Sequence, residues 1–380
     1  MLTRKRQVVS KIESVEGTAE TLAVGDAKTL AYNPRVSFDP EMFSRDPARL
    51  TFTNIAKVIG KRPGALSFGL EVRGSGSAAT APDWGKHFQN CGCGVNLLKS
   101  INIGAVTAGP FQHGETITGG TSAGKGRVIV NTANGASAIF YVIISGTLQS
   151  GEVITGGTSG ATATTSSSAT TIGNVIEPIT DLIPSQTMSG YEDGIRKLLR
   201  GCRGKFKINF KSGEPVLVNF DYMGVEAGIA DTALFTNPVY ETTKPPAFIN
   251  AAFSIDAFSG KISSLEINHE NKLAARDDVN NDRGILSFLI TDRDVNGSLD
   301  PEMVLAGTYD FHTKWFSAVE MVLDTTWGTV SGNKFRFYAP KAQYTKVEDE
   351  NRDGIAVSKS AFDLNGSLLP GNDEWALLCI

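Results

Sequence analysis

The sequence predicts a mainly β chain: a β-rich unit that occurs twice in tandem, each copy with one helix, plus a small inserted β domain. Three observations carry this. Gly64-Ala-Leu-Ser-Phe-Gly-Leu-Glu-Val-Arg73 recurs 220 residues later as Gly284-Ile-Leu-Ser-Phe-Leu-Ile-Thr-Asp-Arg293. In both runs the even positions (Leu66, Phe68, Leu70 and Leu286, Phe288, Ile290) are apolar, the period of a strand with one face on a core. Gly114-Glu-Thr-Ile-Thr-Gly-Gly-Thr-Ser122 returns after 37 residues as Gly151-Glu-Val-Ile-Thr-Gly-Gly-Thr-Ser159, within a Gly-, Thr-, Ser- and Ala-rich stretch. Finally, Lys205-Phe-Lys-Ile-Asn-Phe-Lys211 alternates without a slip, turns at Ser212 to Pro215, and comes back through Val216, Val218, Phe220 and Tyr222 as a hairpin.

Taken in order, the first 25 residues carry little apolar periodicity beyond Val8, Val9 and Ile12, which predicts an arm ordered only by a neighbour. A strand is expected near Val36, then a polar excursion from Phe38 to Pro63, then the repeat strand. Pro82 suits a first helical turn, and Trp84, His87, Phe88 and Cys91 form one apolar stripe closed by Gly92 and Gly94. Residues 101–171 read as the inserted module, with a strand from Ala138 to Ile144 between its two repeats. The stretch from Asn237 to Pro246, rich in Pro and Thr, reads as a linker. In the second copy, Ile262 to Ile267 is a predicted strand and Asn268 to Arg283 a second polar excursion. Asp300 and Pro301 then look like the start of a helix burying Phe311, Trp315, Phe316 and Val319. Lys334-Phe-Arg-Phe337 echoes Lys205-Phe-Lys-Ile208, and strands around Tyr344, from Ile355 to Leu364 and from Trp375 to Ile380 complete the chain.

Composition narrows the function. A net charge of −4 over 380 residues argues against a protein that grips nucleic acid by neutralising phosphates. No run approaches the roughly 18 apolar residues of a membrane span, and Met1-Leu-Thr-Arg-Lys-Arg-Gln lacks a secretory signal's apolar stretch, so the expectation is a protein made in a cytoplasm with no membrane role. Four cysteines, Cys91, Cys93, Cys202 and Cys379, are too scattered for a disulfide framework.

Chemistry-bearing motifs fail one by one. Gly119-Gly-Thr-Ser-Ala-Gly-Lys125 has the letters of a phosphate loop, but Gly126 stands where Ser or Thr should hold magnesium, and Arg127-Val-Ile-Val130 reads as a strand where the loop needs a helix. Asp292, Asp294, Asn296, Gly297, Ser298 and Asp300 resemble a calcium loop without its closing acid, Met303 standing in that place; a turn capping the next helix is the plainer reading. His87, Cys91 and Cys93 have no fourth metal ligand nearby and read as a packed helix face. The four histidines, His87, His113, His269 and His312, sit in unrelated settings, and there is no Gly-x-Ser-x-Gly elbow. Acidic clusters at Asp277, Asp278, Asp282 and at Glu348, Asp349, Glu350, Asp353 read as solvated loops, or as a surface that repels phosphate. No catalytic residue, metal site or cofactor is expected.

The order of several segments does resemble a known family. Thr80-Ala-Pro-Asp-Trp-Gly-Lys-His-Phe-Gln-Asn-Cys91-Gly, the hairpin from Arg203 to Tyr222, the linker, Ser263-Ser-Leu-Glu-Ile267, Gly297-Ser-Leu-Asp-Pro-Glu302 and Lys341-Ala-Gln-Tyr344 together look like a major tail tube protein of long, non-contractile-tailed bacteriophages. The resemblance implies two tandem tube-type β-sandwich domains: the first in residues 1–100 and 173–245, split by the module at 101–172, and the second in 246–380. It implies a virion protein whose inner sheets join around a lumen, as trimeric pseudo-sixfold rings or as hexamers, stacked head to tail. The long loops Phe38 to Pro63 and Asn268 to Arg283, with the amino-terminal arm, would make the stacking contacts. Tape measure, tail terminator and distal tail proteins would be the other partners, and DNA would pass through without specific binding. A virion decoration protein or adhesin is the alternative, for which the Gly/Thr-rich module speaks.

Overall fold

A computed structural model of the chain describes residue 2, residues 4–369 and residues 371–380. The first strand, β1 (Arg6–Ile12), corrects the expectation of a free arm: it lies antiparallel on the later strand Gln186–Glu192, from Arg6↔Glu192 to Ile12↔Gln186. Val8 and Val9 are fully buried on its opposite faces, so a short apolar pair was enough to seat the segment. Beyond β1 the Glu13 carboxylate accepts hydrogen bonds from Gly17 N, Ser185 Oγ, Thr187 Oγ1 and Gly201 N, stapling the turn to the body.

Two layers follow from the alternation of the remaining strands. The first half contributes β2 (Tyr32–Phe38), a short β3 (Met42–Phe43) and β4 (Val58–Ile59), β5 (Pro63–Glu71), the helix α1 (Gly85–Gln89) and β6 (Cys93–Asn102). Five module strands come next: β7 (Thr116–Gly119), β8 (Lys125–Val128), β9 (Ala138–Ser145), β10 (Val153–Gly156) and β11 (Thr162–Thr164). The half resumes with β12 (Thr170–Pro178), β13 (Gln186–Glu192), β14 (Ile195–Lys211) and β15 (Leu217–Asp231). The second half holds β16 (Ser254–Ile255), β17 (Ser264–Asp277), β18 (Ile285–Leu299), α2 (Phe311–Phe316), β19 (Glu320–Trp327), β20 (Phe335–Arg352), β21 (Ile355–Leu364) and β22 (Ala376–Cys379).

One layer runs β2-β5-β15-β14 and continues, through antiparallel pairs from Phe206↔His269 to Lys211↔Ser264, into β17-β18-β21-β20. The two halves of this layer match strand for strand, β2 with β17, β5 with β18, β15 with β21 and β14 with β20. In the other layer β22 sits between β12 and β20 and so joins the halves a second time. Alternate residues of the first layer (Phe68, Phe220, Phe206, Ile267, Val295, Phe362) and the rings of Phe88, Phe337, Trp327 and Trp375 fill one core spanning both halves. The chain is therefore two tandem sandwich domains, each flanked by one small helix, with an inserted β module.

Several expectations of the second half need correction. Asn268 to Asp277 is not an excursion but the outer part of β17, paired to β18 up to Asp277↔Ile285. It looked like a loop because both faces are polar: Glu266, Asn268 and Glu270 meet solvent, while His269 and Asn271 are buried, Asn271 donating to Cys91 O and Gly204 O. The sequence repeat lies in matching strands but on different faces. Leu66, Phe68 and Leu70 enter the main core, whereas an irregularity opposite Lys272/Leu273 shifts the phase of β18, so Val295 and Leu299 enter that core and Ile285 and Phe288 pack with Val225 instead. Asp292, Asp294, Asn296 and Ser298 are part of this same extended strand, neither a calcium loop nor a capping turn. Asp300 does not cap a helix; it accepts from Ser263 N, Ser264 N and Arg352 Nη1, and Asp310 caps α2 through Thr313 N. Of the predicted face of α2, Phe311 is buried but Phe316 is 75% exposed.

The module has its own core (Ile101, Phe111, Ile117, Tyr141, Leu148, Ile154 among others) and a symmetry that its repeat only hinted at. Thr118 pairs with Thr155, flanked by Ile117↔Gly156 and Gly119↔Ile154, so the two 37-residue repeats are related by a pseudo-twofold through that pair. Each repeat's glutamate crosses to the other's Gly-Gly-Thr-Ser turn. Glu152 accepts from Thr121 N, Ser122 N and Ser122 Oγ; Glu115 accepts from Thr158 N, Ser159 N and Ser159 Oγ. A Cβ on Gly119 would stand 2.5 Å from Glu152 Oε2, and one on Gly156 2.7 Å from Glu115 Oε2, which is why the turns need glycine. The phosphate-like loop thus already holds an anion, the protein's own carboxylate.

Two predictions follow from this packing. Burial alone would push the Glu152 carboxyl up, but the donors from Ser122, Gln149 and Thr121 outweigh it and hold it below its usual range. Glu152→Gln should destabilise by about 1.5–3 kcal/mol, with amide exchange at 119–124 accelerating more than in β14; the loss should vanish as acid protonates the wild-type carboxyl. His269 lies fully buried at the β14–β17 pairing, its ring stacked on Phe206 at 4.7 Å and edge-on to Trp375. Burial, helped by the Arg293 charge, drops its pKa to about 3 from an ordinary 6.5. The unfolded chain therefore binds the extra proton, and stability should fall by about 1.4 kcal/mol per pH unit as pH drops from 6.5 toward 3. His269→Phe, which keeps the stack, should remove that part of the acid slope in denaturant titrations.

Candidate assembly surface

Sheet chemistry dictates where this molecule is unfinished. Each strand interior to the first layer has neighbours on both sides, but β2 pairs only with β5, and residues 344–352 of β20 only with β21. Among the described residues no other backbone partner meets these two edges. Such edges recruit further strands unless blunted. The seam inside the chain shows what a filled edge looks like: backbone pairs from Phe206↔His269 to Lys211↔Ser264, reinforced by Lys205 Nζ–Glu270 Oε2 at 2.6 Å and Lys207 Nζ–Glu266 Oε1 at 2.7 Å.

The face of this layer turned away from the core is polar. It carries Ser67 and Gly69, Asn219 and Asp221, Lys205 and Lys207, Glu266 and Glu270, Asp294 and Asn296, and Asp363. The lysines are engaged across the seam, whereas Asp221, Asp294 and Asp363 have no ion-pair partner among the described residues. Burial, with Asp294 beside it, raises the Asp363 carboxyl. Arg35 is a cation on this face, but acids outnumber it, so the surface gives phosphate a poor foothold. A hollow of about 690 Å³ between β2, β5 and β15 is lined by Tyr32, Arg35, Ser67, Glu71, Asn219 and Asp221.

Between β3 and β4 the chain exposes Leu50 and Phe52 fully, with Met42, Phe43, Val58 and Ile59 about half exposed. The tip of the β17–β18 hairpin carries Asp277, Asp278 and Asp282, tied back by Lys61 to Asp277 and by Arg200 to Asp282. Glu348, Asp349 and Glu350, expected in a loop, lie on β20 along its open edge.

Most of the histidines and cysteines weighed in the sequence are packed into the body. His87 Nε2 meets Thr29 Oγ1 at 2.9 Å, Cys91 and Cys93 are buried, and burial raises both thiols. His113 is buried and bonded to Ile129 O, while His312 is half-buried, its Nε2 4.0 Å from Asp349 Oδ1. Among the described residues no cluster of His, Cys, Asp or Glu has the geometry to hold a metal. That sheet edges serve as assembly surfaces follows from the resemblance, but which strands stand at the border was not read from the residues; the one signal was Pro34 within an alternating run, since proline is confined to strands at a sheet border.

No curated protein matches the chain. A family model described as phage tail tube protein does, over residues 3–361, which takes in both halves and the module between them. A layer open at both ends and a polar acidic face acquire a common purpose there: this chain belongs to the phage tail tube protein family and is a structural, non-enzymatic component of the virion's tail tube.

Proposed function

We propose that three copies of this chain close into a ring by joining the β20 edge of each to the β2 edge of the next, and that rings stack head to tail into the tube through which DNA leaves the virion. The observation that carries it is the β14–β17 seam, because the junction required between chains already exists once within each chain. Matched halves make one chain equivalent to two building blocks, so three chains give a pseudo-sixfold wall with no edge left over. The polar face of β2-β5-β15-β14-β17-β18-β21-β20 then lines the lumen, and its unpaired acids keep DNA sliding without binding.

The domains divide as residues 1–100 with 173–245, the module at 101–172, and 246–380. The module grows from β6 through its pairing with β9, on the layer opposite the polar face, which puts its bulk outside the tube. The exposed apolar loop between β3 and β4 and the β17–β18 tip, at the rims, make the contacts between rings, where Leu50 and Phe52 lose their exposure. The arm has no such role, being committed to β13. Ring ends would meet the tape measure, terminator and distal tail proteins, with assembly in the host cytoplasm.

Negative-stain microscopy of the purified chain with rotational averaging, together with the mass of the ring, tests this. Rings of three chains with near-sixfold density are expected. Six chains per ring would contradict the stoichiometry, and a stable monomer that binds host cells would favour the adhesin. Leu50→Ser with Phe52→Ser should leave single rings intact and shorten or abolish stacks.

A further inference from the structure

Each half has two borders, and the charges at the four borders are not alike. At the filled seam β14 presents Lys205, Lys207 and Lys211 with no acid among them, and β17 answers with Glu266 and Glu270. At the open ends the signs are exchanged. The strand in the place of β14 is β20, whose free stretch carries Glu348, Asp349 and Glu350; the carboxylates of Glu348 and Glu350 are about half exposed and each touches one lysine, Lys346 or Lys359. The strand in the place of β17 is β2, and its charged side chain is Arg35. Beside the unpaired border of β2 runs a groove of about 340 Å³ lined by Arg6, Arg35 and Lys197, its one acid, Glu192, being paired with Arg6 at 3.1 Å.

The backbone of β2 is also poorer in hydrogen bonds than that of β17. Pro34 has no N–H to give, Asn33 has φ of +48°, and the register slips between Tyr32 and Arg35. A strand docking there gains fewer ladder bonds than β14 gains on β17, so side-chain charge carries more of the selectivity.

We propose that the groove beside β2 receives the acidic strand 344–352 of a second copy, and that the exchange of charge sign between the inner and outer seams dictates which borders join. This rests on the ring reading above. The code rejects four wrong pairings by like charge: β2 on β2 sets arginine against arginine, β20 on β20 and β20 on β17 set acid against acid, and β2 on β14 sets Arg35 against lysines; β2 on β17 and β20 on β14 are blocked because those borders already fill each other. Rejecting the two self-pairings matters most. An isologous β2–β2 or β20–β20 contact makes a twofold dimer that cannot extend, whereas the permitted β20–β2 contact is head to tail and closes a ring.

The test uses the full chain in three forms: Arg35→Glu; Glu348→Lys with Glu350→Lys; and all three together. All the altered side chains are exposed, and circular dichroism melting should confirm that each form folds. At low salt each partial reversal should lower the ring fraction, by sedimentation and microscopy, about tenfold or more, and the triple form, complementary again with signs inverted, should recover it. Rings that form equally well in the partially reversed chains would overturn this inference alone. So would a triple form that folds and stays unassembled, since the residues would then matter otherwise than as a complementary pair. Absence of rings from the unaltered chain would instead overturn the ring reading and take this one with it.

Discussion

Backbone N–H and C=O groups at a sheet border must find partners, and the fold of this chain is organised around that requirement. Inside the molecule it is met twice: β14 on β17 joins the first layer, and β22 between β12 and β20 joins the second. The joined layers share one aromatic core, in which Phe206, Phe337 and Trp375 touch residues from both halves. Two half-size sandwiches would each bury less surface per residue; fused, they share one core, with β2 and the end of β20 as the two terminal borders of that layer among the described residues.

The module is built on the opposite plan. Its pseudo-twofold pairs β7 with β10 internally, and its two glutamates satisfy the amide-rich turns of the partner repeat. It is anchored to the body by the β6–β9 pairing and by Arg127 on Glu177, a carboxyl whose burial, only partly offset by the arginine, lifts it to about 7. A unit that satisfies its own polar groups can be carried on the outside of an assembly without disturbing the wall beneath it.

Much of this was legible in the residues. The alternation of Lys205 to Tyr222 gave the central hairpin, the stripe of Trp84, His87, Phe88 and Cys91 gave the buried helix face, and both repeats marked real structural correspondences. What was not legible has physical causes. A strand polar on both faces, like Asn268 to Asp277, looks like a loop when the buried polar groups find partners only in three dimensions, as Asn271 does. A shift of phase in β18 turns identical letters to different faces. Asp300 and Pro301 had the letters of a helix start, but the carboxylate was already used by Ser263 and Ser264. Open edges are hardest of all, because nothing in a strand's own letters says that a neighbour is missing; Pro34 was the nearest thing to a mark.

The central claim is that β2 and residues 344–352 of β20 become interior strands of a closed wall. Amide hydrogen exchange on assembled rings against unassembled chain reads this directly. Protection should rise in these two segments toward the level of β14 and β17, with little change along the β14–β17 seam itself. Intact rings in which β2 and 344–352 exchange as fast as in the free chain would contradict it, since the wall would then be held together by some surface other than its backbone edges.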